Sequence, residues 1–148
     1  MTQEMAQELA QELAQELTQE LSGTSGASAS LTVELDPAAP ISSYNIRRAD
    51  RTPVGTADFV VVSGVREERL FFHTDVCQEF GGRALVELLV SKALADSIRE
   101  GATVVPLCPM FAGHLRVHGD AFTASGGVFR EPTPDDIGVI TRATLGEA

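Results

Sequence analysis

The sequence predicts an α/β domain of the α+β kind, in which an antiparallel meander is followed by a βαβ crossover carrying a glycine-rich turn. Three observations carry this expectation. Residues 44–48, 56–62 and 70–76 are short, β-branched or aromatic runs separated by turn-forming clusters, as successive strands are. Over residues 83–100, Leu85, Leu88, Leu89, Ala93 and Ile98 recur at steps of three and four, leaving Glu87, Lys92 and Asp96 for the opposite face of an amphipathic helix. Residues 102–107 form an apolar run of the kind buried on both faces, and a strand, helix and strand joined by short links close into a parallel pair through a right-handed crossover.

Taken from its start, the chain opens with MTQEMAQELAQELAQELTQEL, a Gln-Glu-Leu-Ala repeat that sets Met5, Leu9, Leu13, Leu17 and Leu21 four residues apart. Its residue types favour helix, but a stripe of period four drifts around the helix by about 40° per repeat, so no straight coiled-coil seam results. Ser22 to Ser30, SGTSGASAS, has linker composition, and residues 1–30 are therefore expected to be a low-complexity helical arm with a Ser/Gly linker. A folded domain spanning 41–148 is expected after the Asp36-Pro37-Ala38-Ala39-Pro40 interruption. Within it, DRTPVG over 50–55 and residues 63–68 read as turns, and Gly101 as the stop of the long helix. Met110 to Val117 reads as a short helix and Thr123 to Gly127 as a loop. Thr133-Pro134-Asp135-Asp136 has the N-cap, first-turn proline and acids of a terminal helix start.

The chemistry concentrates between residues 70 and 109. Gly81 and Gly82 permit positive φ and close backbone approach, and they stand at a helix N-terminus, where unpaired N–H groups and the helix dipole favour an anion. His73 alternates with Phe72 and Thr74 and so is expected to face away from both. His114 and His118, four apart, share a helix face; a metal there would need a third ligand, and none is expected.

Glu79-Phe80-Gly81-Gly82-Arg83-Ala84 resembles the pyrophosphate-binding turn [Q/R]-x-x-G-x-[G/A] of the GNAT superfamily of acyl-CoA-dependent N-acyltransferases, with Glu79 where Gln or Arg is usual. His73-Thr74-Asp75-Val76 and Val105-Pro106-Leu107-Cys108-Pro109 resemble the HT[E/D]V and VPLCP segments of a small stand-alone branch, the YjdJ-type N-acetyltransferase-like proteins. The resemblance spans roughly Tyr44 to Phe122. It implies a minimal GNAT fold in which the third and fourth strands splay apart around the pantetheine arm of acetyl-CoA, bound as co-substrate. It implies cofactor contacts from Val76, Gly81, Gly82, Arg83, Ala84 and Leu85, and puts Cys108 at the acyl end as a catalytic candidate; His114, in the helix that follows, is a second candidate on its residue type and position. Cys108 is left with three roles, acyl acceptor, base toward the amine, or pocket lining; His114 is either an acid–base group near neutral pH or a partly exposed surface histidine. The branch pattern continues after Cys-Pro through an aromatic residue, often Tyr, to His-Pro. Here those places hold His114 and His118-Gly119, so no role passes to an aromatic hydroxyl.

Composition bounds the partners. Six acids and no Lys or Arg precede Asp36, and fifteen acids against eleven bases make up the chain from Asp36 on, for a net charge of −10. No basic stripe is left for nucleic acid, and no long apolar run for a membrane. Two cysteines without zinc spacing, and no secretory leader pattern, point to a reduced, cytoplasmic protein. The expected reaction is acetyl transfer to a small-molecule or peptide primary amine. Its rivals are a CoA-binding sensor or partner-binding module without turnover, and an interaction protein working through self-association of the N-terminal helix.

Overall fold

The structure, a computed structural model, describes residues 31–146; the arm and linker expected over residues 1–30 lie outside the described residues. Six strands make one mixed sheet in chain order: β1 (Leu31–Asp36), β2 (Ser42–Arg48), β3 (Pro53–Val62), β4 (Glu68–Val76), β5 (Thr103–Pro106) and β6 (Val128–Phe129). The first four pair antiparallel, and β5 and β6 add on in parallel, so the meander and the crossover both form as the sequence predicts. Three helices complete the α/β fold: α1 (Gly82–Glu100), α2 (Pro109–Ala124) and α3 (Pro134–Thr144).

Four boundaries differ from the sequence reading. The sheet begins at Leu31 rather than near Ile41, because residues 37–41 are a hairpin loop and not a domain boundary. Ser42 ties that loop to itself, its hydroxyl donating to the Ala38 carbonyl at 2.8 Å and accepting from the Ala38 N–H at 3.1 Å. Glu34 on β1 then pairs with Arg51 at 2.7 Å and Arg47 at 3.3 Å, fixing the edge. Pro53, expected in a turn, starts β3. α2 runs on to Ala124, past its expected end at Val117, and β6 follows at Val128–Phe129, which the sequence reading leaves unassigned; at two residues β6 is too short to leave a period.

The core lies between the sheet and the paired helices α1 and α2. An aromatic file crosses it, with ring centroids 5.5 Å apart for Tyr44 and Phe59, 5.0 Å for Phe59 and Phe71, and 4.4 Å for Phe71 and Phe111. Asp96, expected on the solvent face of α1, is buried: the Tyr44 hydroxyl donates to it at 2.9 Å, and Lys92 and Arg99 pair with it. Desolvation, reinforced by the Asp96 charge, raises the Tyr44 phenol above its ordinary range, so this hydroxyl stays protonated. On the other sheet face Val60, Leu70 and Val105 form a smaller cluster with Ala143 of α3, which covers them.

Candidate functional site

A break in sheet pairing sets the site. β4 pairs with β5 only from Glu68 to Phe71, and the last links are the N–H groups of Leu107 and Cys108, both donating to the Phe71 carbonyl at 2.9 Å. From there β4 continues to Val76 while the chain after β5 turns into α2, so the two strands part as the resemblance implies. The same place holds a bulge. Phe59 pairs with Phe71, but Asp58 pairs with His73, leaving Phe72 as the extra residue. Phe72 packs with the α3-side cluster and His73 is exposed opposite Asp58, so both lie on one face; the expected alternation of His73 with Phe72 is thereby corrected. Thr74, paired with core residue Ala57, turns instead toward α1 and α2.

At the far end of β4 a short 3₁₀ turn, Gln78–Phe80, and Gly81 lead into α1. Gly81 has φ of 82°, the left-handed conformation for which glycine is suited, and its carbonyl accepts the Leu85 N–H at 3.0 Å. The N–H groups of Gly82, Arg83 and Ala84 precede that bond and have no partner within the helix, and the first turn carries no acid to compete for them. A Cβ on Gly82 would lie 2.5 Å from the Gln78 carboxamide oxygen, so the glycine keeps this approach narrow but open. This donor set, with the Arg83 cation beside it, suits a diphosphate.

From the turn a cavity of about 440 Å³ extends between α1 and α2, walled by Val76, Gln78, Gly82, Arg83, Met110 and His114 among others. Of the residues singled out in the sequence, Val76, Gly82, Arg83 and His114 therefore meet at one space. Gly81 is the N-cap beside it, and Ala84 is half-buried in the first turn. Leu85 is in the core, with its side chain fully buried. Cys108 is not part of that wall. It caps α2 from the core side, 4 % exposed, with its Sγ 3.2 Å from Thr74 Oγ1.

His114 and His118 have ring centroids 4.8 Å apart on the α2 side of the cavity. Burial, and secondarily the neighbouring His118, lower the His114 pKa below its ordinary value, so at neutral pH His114 is uncharged and can accept a proton. Among the described residues no three His, Cys, Asp or Glu side chains are placed to share a metal ion. None of the described helices is long and apolar enough to cross a membrane.

Sequence reasoning missed Thr74, Gln78 and Met110. Thr74 lay within a string already noted, but its direction depends on a bulge that no residue pattern announces. Gln78 stands one place before the motif position and reaches Gly82 only because the 3₁₀ turn folds it back.

A search of the curated proteins returned no match. The family model described as GCN5-related N-acetyl-transferase matches residues 43–123, which takes in β2 to β5, the glycine turn, α1 and nearly all of α2. With the parted strands and the turn matching that assignment, the chain belongs to the GCN5-related N-acetyl-transferase family, whose chemistry is acyl transfer.

Proposed function

We propose that this protein is an acetyl-CoA-dependent N-acetyltransferase of the YjdJ-type branch, acting on a primary amine. The observation that supports it best is that the turn at Gly82 and Val76, on the part of β4 that continues past its pairing with β5, wall one cavity. The N–H groups of Gly82, Arg83 and Ala84 hold the diphosphate of the co-substrate, and Arg83 adds a local cation. Val76 forms the wall along which the pantetheine arm lies. With strand residues rising about 3.3 Å each, Thr74 and its partner Cys108 stand about 7 Å further in, where the strands divide. That is the place for the thioester. Catalysis there is mostly positioning of the amine against the thioester carbon, helped by removal of a proton from the amine. His114, uncharged in the cavity wall, is one proton acceptor, and Cys108, buried behind that wall beside Thr74, is the other.

A second reading, a CoA-binding module without turnover, draws on the burial of Cys108 behind the cavity wall. Two measurements separate them. Binding predicts stabilisation by CoA, about 2.7 kcal/mol at a hundredfold excess over Kd. Turnover predicts steady-state consumption of acetyl-CoA with some member of a panel of primary amines. No melting shift with millimolar CoA would sink both readings; a shift without consumption would leave only the module. A cytoplasmic, metal-free protein with an amine acceptor and no nucleic-acid or membrane partner belongs to the same proposal.

A further inference from the structure

We propose that Thr74 is a positioning residue for Cys108, its hydroxyl donating to Sγ so that the thiol proton is left facing the gap between β4 and β5. The inference rests on the acetyltransferase reading above and adds to it a residue and a proton route.

The backbone carries the first step. Thr74 is three positions past Phe71, so plain alternation would put them on opposite sheet faces. The bulge at Phe72 removes that parity: Phe71 pairs with Phe59, Thr74 pairs with Ala57, and Phe59 and Ala57 share the core face. Thr74 is therefore turned toward α2, and its Oγ1 lies 3.2 Å from Cys108 Sγ. The bonds from Leu107 N–H and Cys108 N–H to the Phe71 carbonyl anchor the other side of the contact. Where main-chain pairing of β4 with β5 ends, this side-chain contact is the next link across.

The chemistry carries the second. When the amine nitrogen bonds the thioester carbon, the carbon–sulfur bond breaks and its electron pair passes to the CoA sulfur, which needs a proton. The chain's one tyrosine, Tyr44, cannot give it, since its hydroxyl is locked between Asp96 and Arg69 in the core. Cys108 can: its Sγ–H passes to the CoA sulfur, and the thiolate recovers a proton from the acylated nitrogen, leaving amide, free CoA and an unchanged thiol. Thiol and leaving thiol are alike in acidity in water, so the exchange needs alignment more than driving force. Thr74 supplies the alignment and a donor to the transient thiolate.

The test uses the full chain with Cys77→Ser, which leaves Cys108 as the single thiol, and compares Thr74→Val and Thr74→Ser. Labelling by iodoacetamide at neutral pH is expected to be slowed by CoA in the parent. It is expected to fall about five- to tenfold in Thr74→Val, the worth of one hydrogen bond, and to return in Thr74→Ser. The kcat for acetyl transfer should fall by a similar factor with KM for acetyl-CoA unchanged. Thr74→Ala repeats the comparison if Thr74→Val does not fold. Labelling of Thr74→Val at the parent rate would overturn the proposal, as would equal slowing in Thr74→Ser or a parent thiol that no reagent reaches in the folded protein. If the labelling pattern holds while no amine is acetylated, the pairing stands and the acetyltransferase reading is what fails.

Discussion

Under the proposed function, the absence of a side chain at Gly82 serves the ligand rather than the backbone. Its φ is not in the left-handed region, and an added Cβ would meet the far end of the flexible Gln78 side chain, which can swing away. Gly82→Val is therefore expected to cost little stability while lowering CoA affinity by tenfold or more, since the branched group would stand over the N–H groups of α1. Calorimetric titration beside thermal melting checks this; equal loss of both would make the glycine a packing requirement. Gly81 differs, because its φ of 82° strains any larger residue whether or not a ligand binds. Cys108 offers a second residue-scale expectation. A proton-transfer role predicts that Cys108→Ala loses about a hundredfold in kcat and about 1 kcal/mol in stability. It also predicts no acetyl mass increment when the native protein is incubated with acetyl-CoA alone, and a stoichiometric increment that disappears in Cys108→Ala would establish a covalent route instead.

Among the elements, α3 shows how a short cap motif becomes a structural joint. Thr133 and Asp136 form a capping box, the Asp136 carboxylate accepting from the Thr133 N–H at 2.7 Å. Arg130, just past β6, forks onto Asp136 at 2.8 and 2.9 Å and onto Glu68 at the start of β4 at 2.8 and 2.9 Å. The Arg130 hydrogen bonds are the main reason Asp136 is held at about 2, against its ordinary 3.8, and they lower Glu68 as well. A carboxylate depressed in the folded state contributes stability that is complete above its unfolded pKa and is lost as pH falls through the folded value. For Asp136 that window runs from about 4 down to about 2. Asp136→Asn is accordingly expected to cost roughly 1–2 kcal/mol near neutrality and to flatten the stability profile across that window, as denaturant melts at several pH values would read out. The cap was legible in Thr133-Pro134-Asp135-Asp136, because an N-cap signal is local. Its link through Arg130 to Glu68, which lies sixty-two residues before Arg130 along the chain, was not. Asp96 was assigned to the solvent face for a related reason: helical spacing shows which residues share a face, not that a buried tyrosine from β2 will meet one of them. The same limit hid the turn of Thr74 toward Cys108, since a bulge is a property of two paired strands and neither strand's residues declare it.

For the whole molecule, the order of the central strands was readable because strand, glycine turn, helix and strand follow one another with short links, and such links leave few topologies. The N-terminal edge was less readable. Asp36-Pro37-Ala38-Ala39-Pro40 looks like a boundary by composition, yet it closes a hairpin whose first strand, β1, pairs with β2 from Leu31↔Arg48 to Asp36↔Ser43. This gives a truncation test with two arms. Removing residues 1–30 leaves every described strand and core residue in place and is expected to leave melting temperature and CoA binding nearly unchanged, with the subunit number by light scattering the same. Removing residues 1–40 deletes β1, and with it Leu31 and Val33, which pack against the core, and the Glu34 carboxylate that pairs with Arg47 and Arg51. Two half-buried aliphatic side chains at roughly 1 kcal/mol each put the loss at about 2 kcal/mol before the bared edge of β2 is considered. That edge would then carry the unpaired backbone groups of Ser42–Arg48, a template for strand addition, so the longer deletion is also expected to aggregate on warming. Equal stability of the two truncations would show that the fold closes without β1. A marked loss on removing residues 1–30, or a change in subunit number, would instead assign the leucine stripe of the N-terminal repeat a packing role.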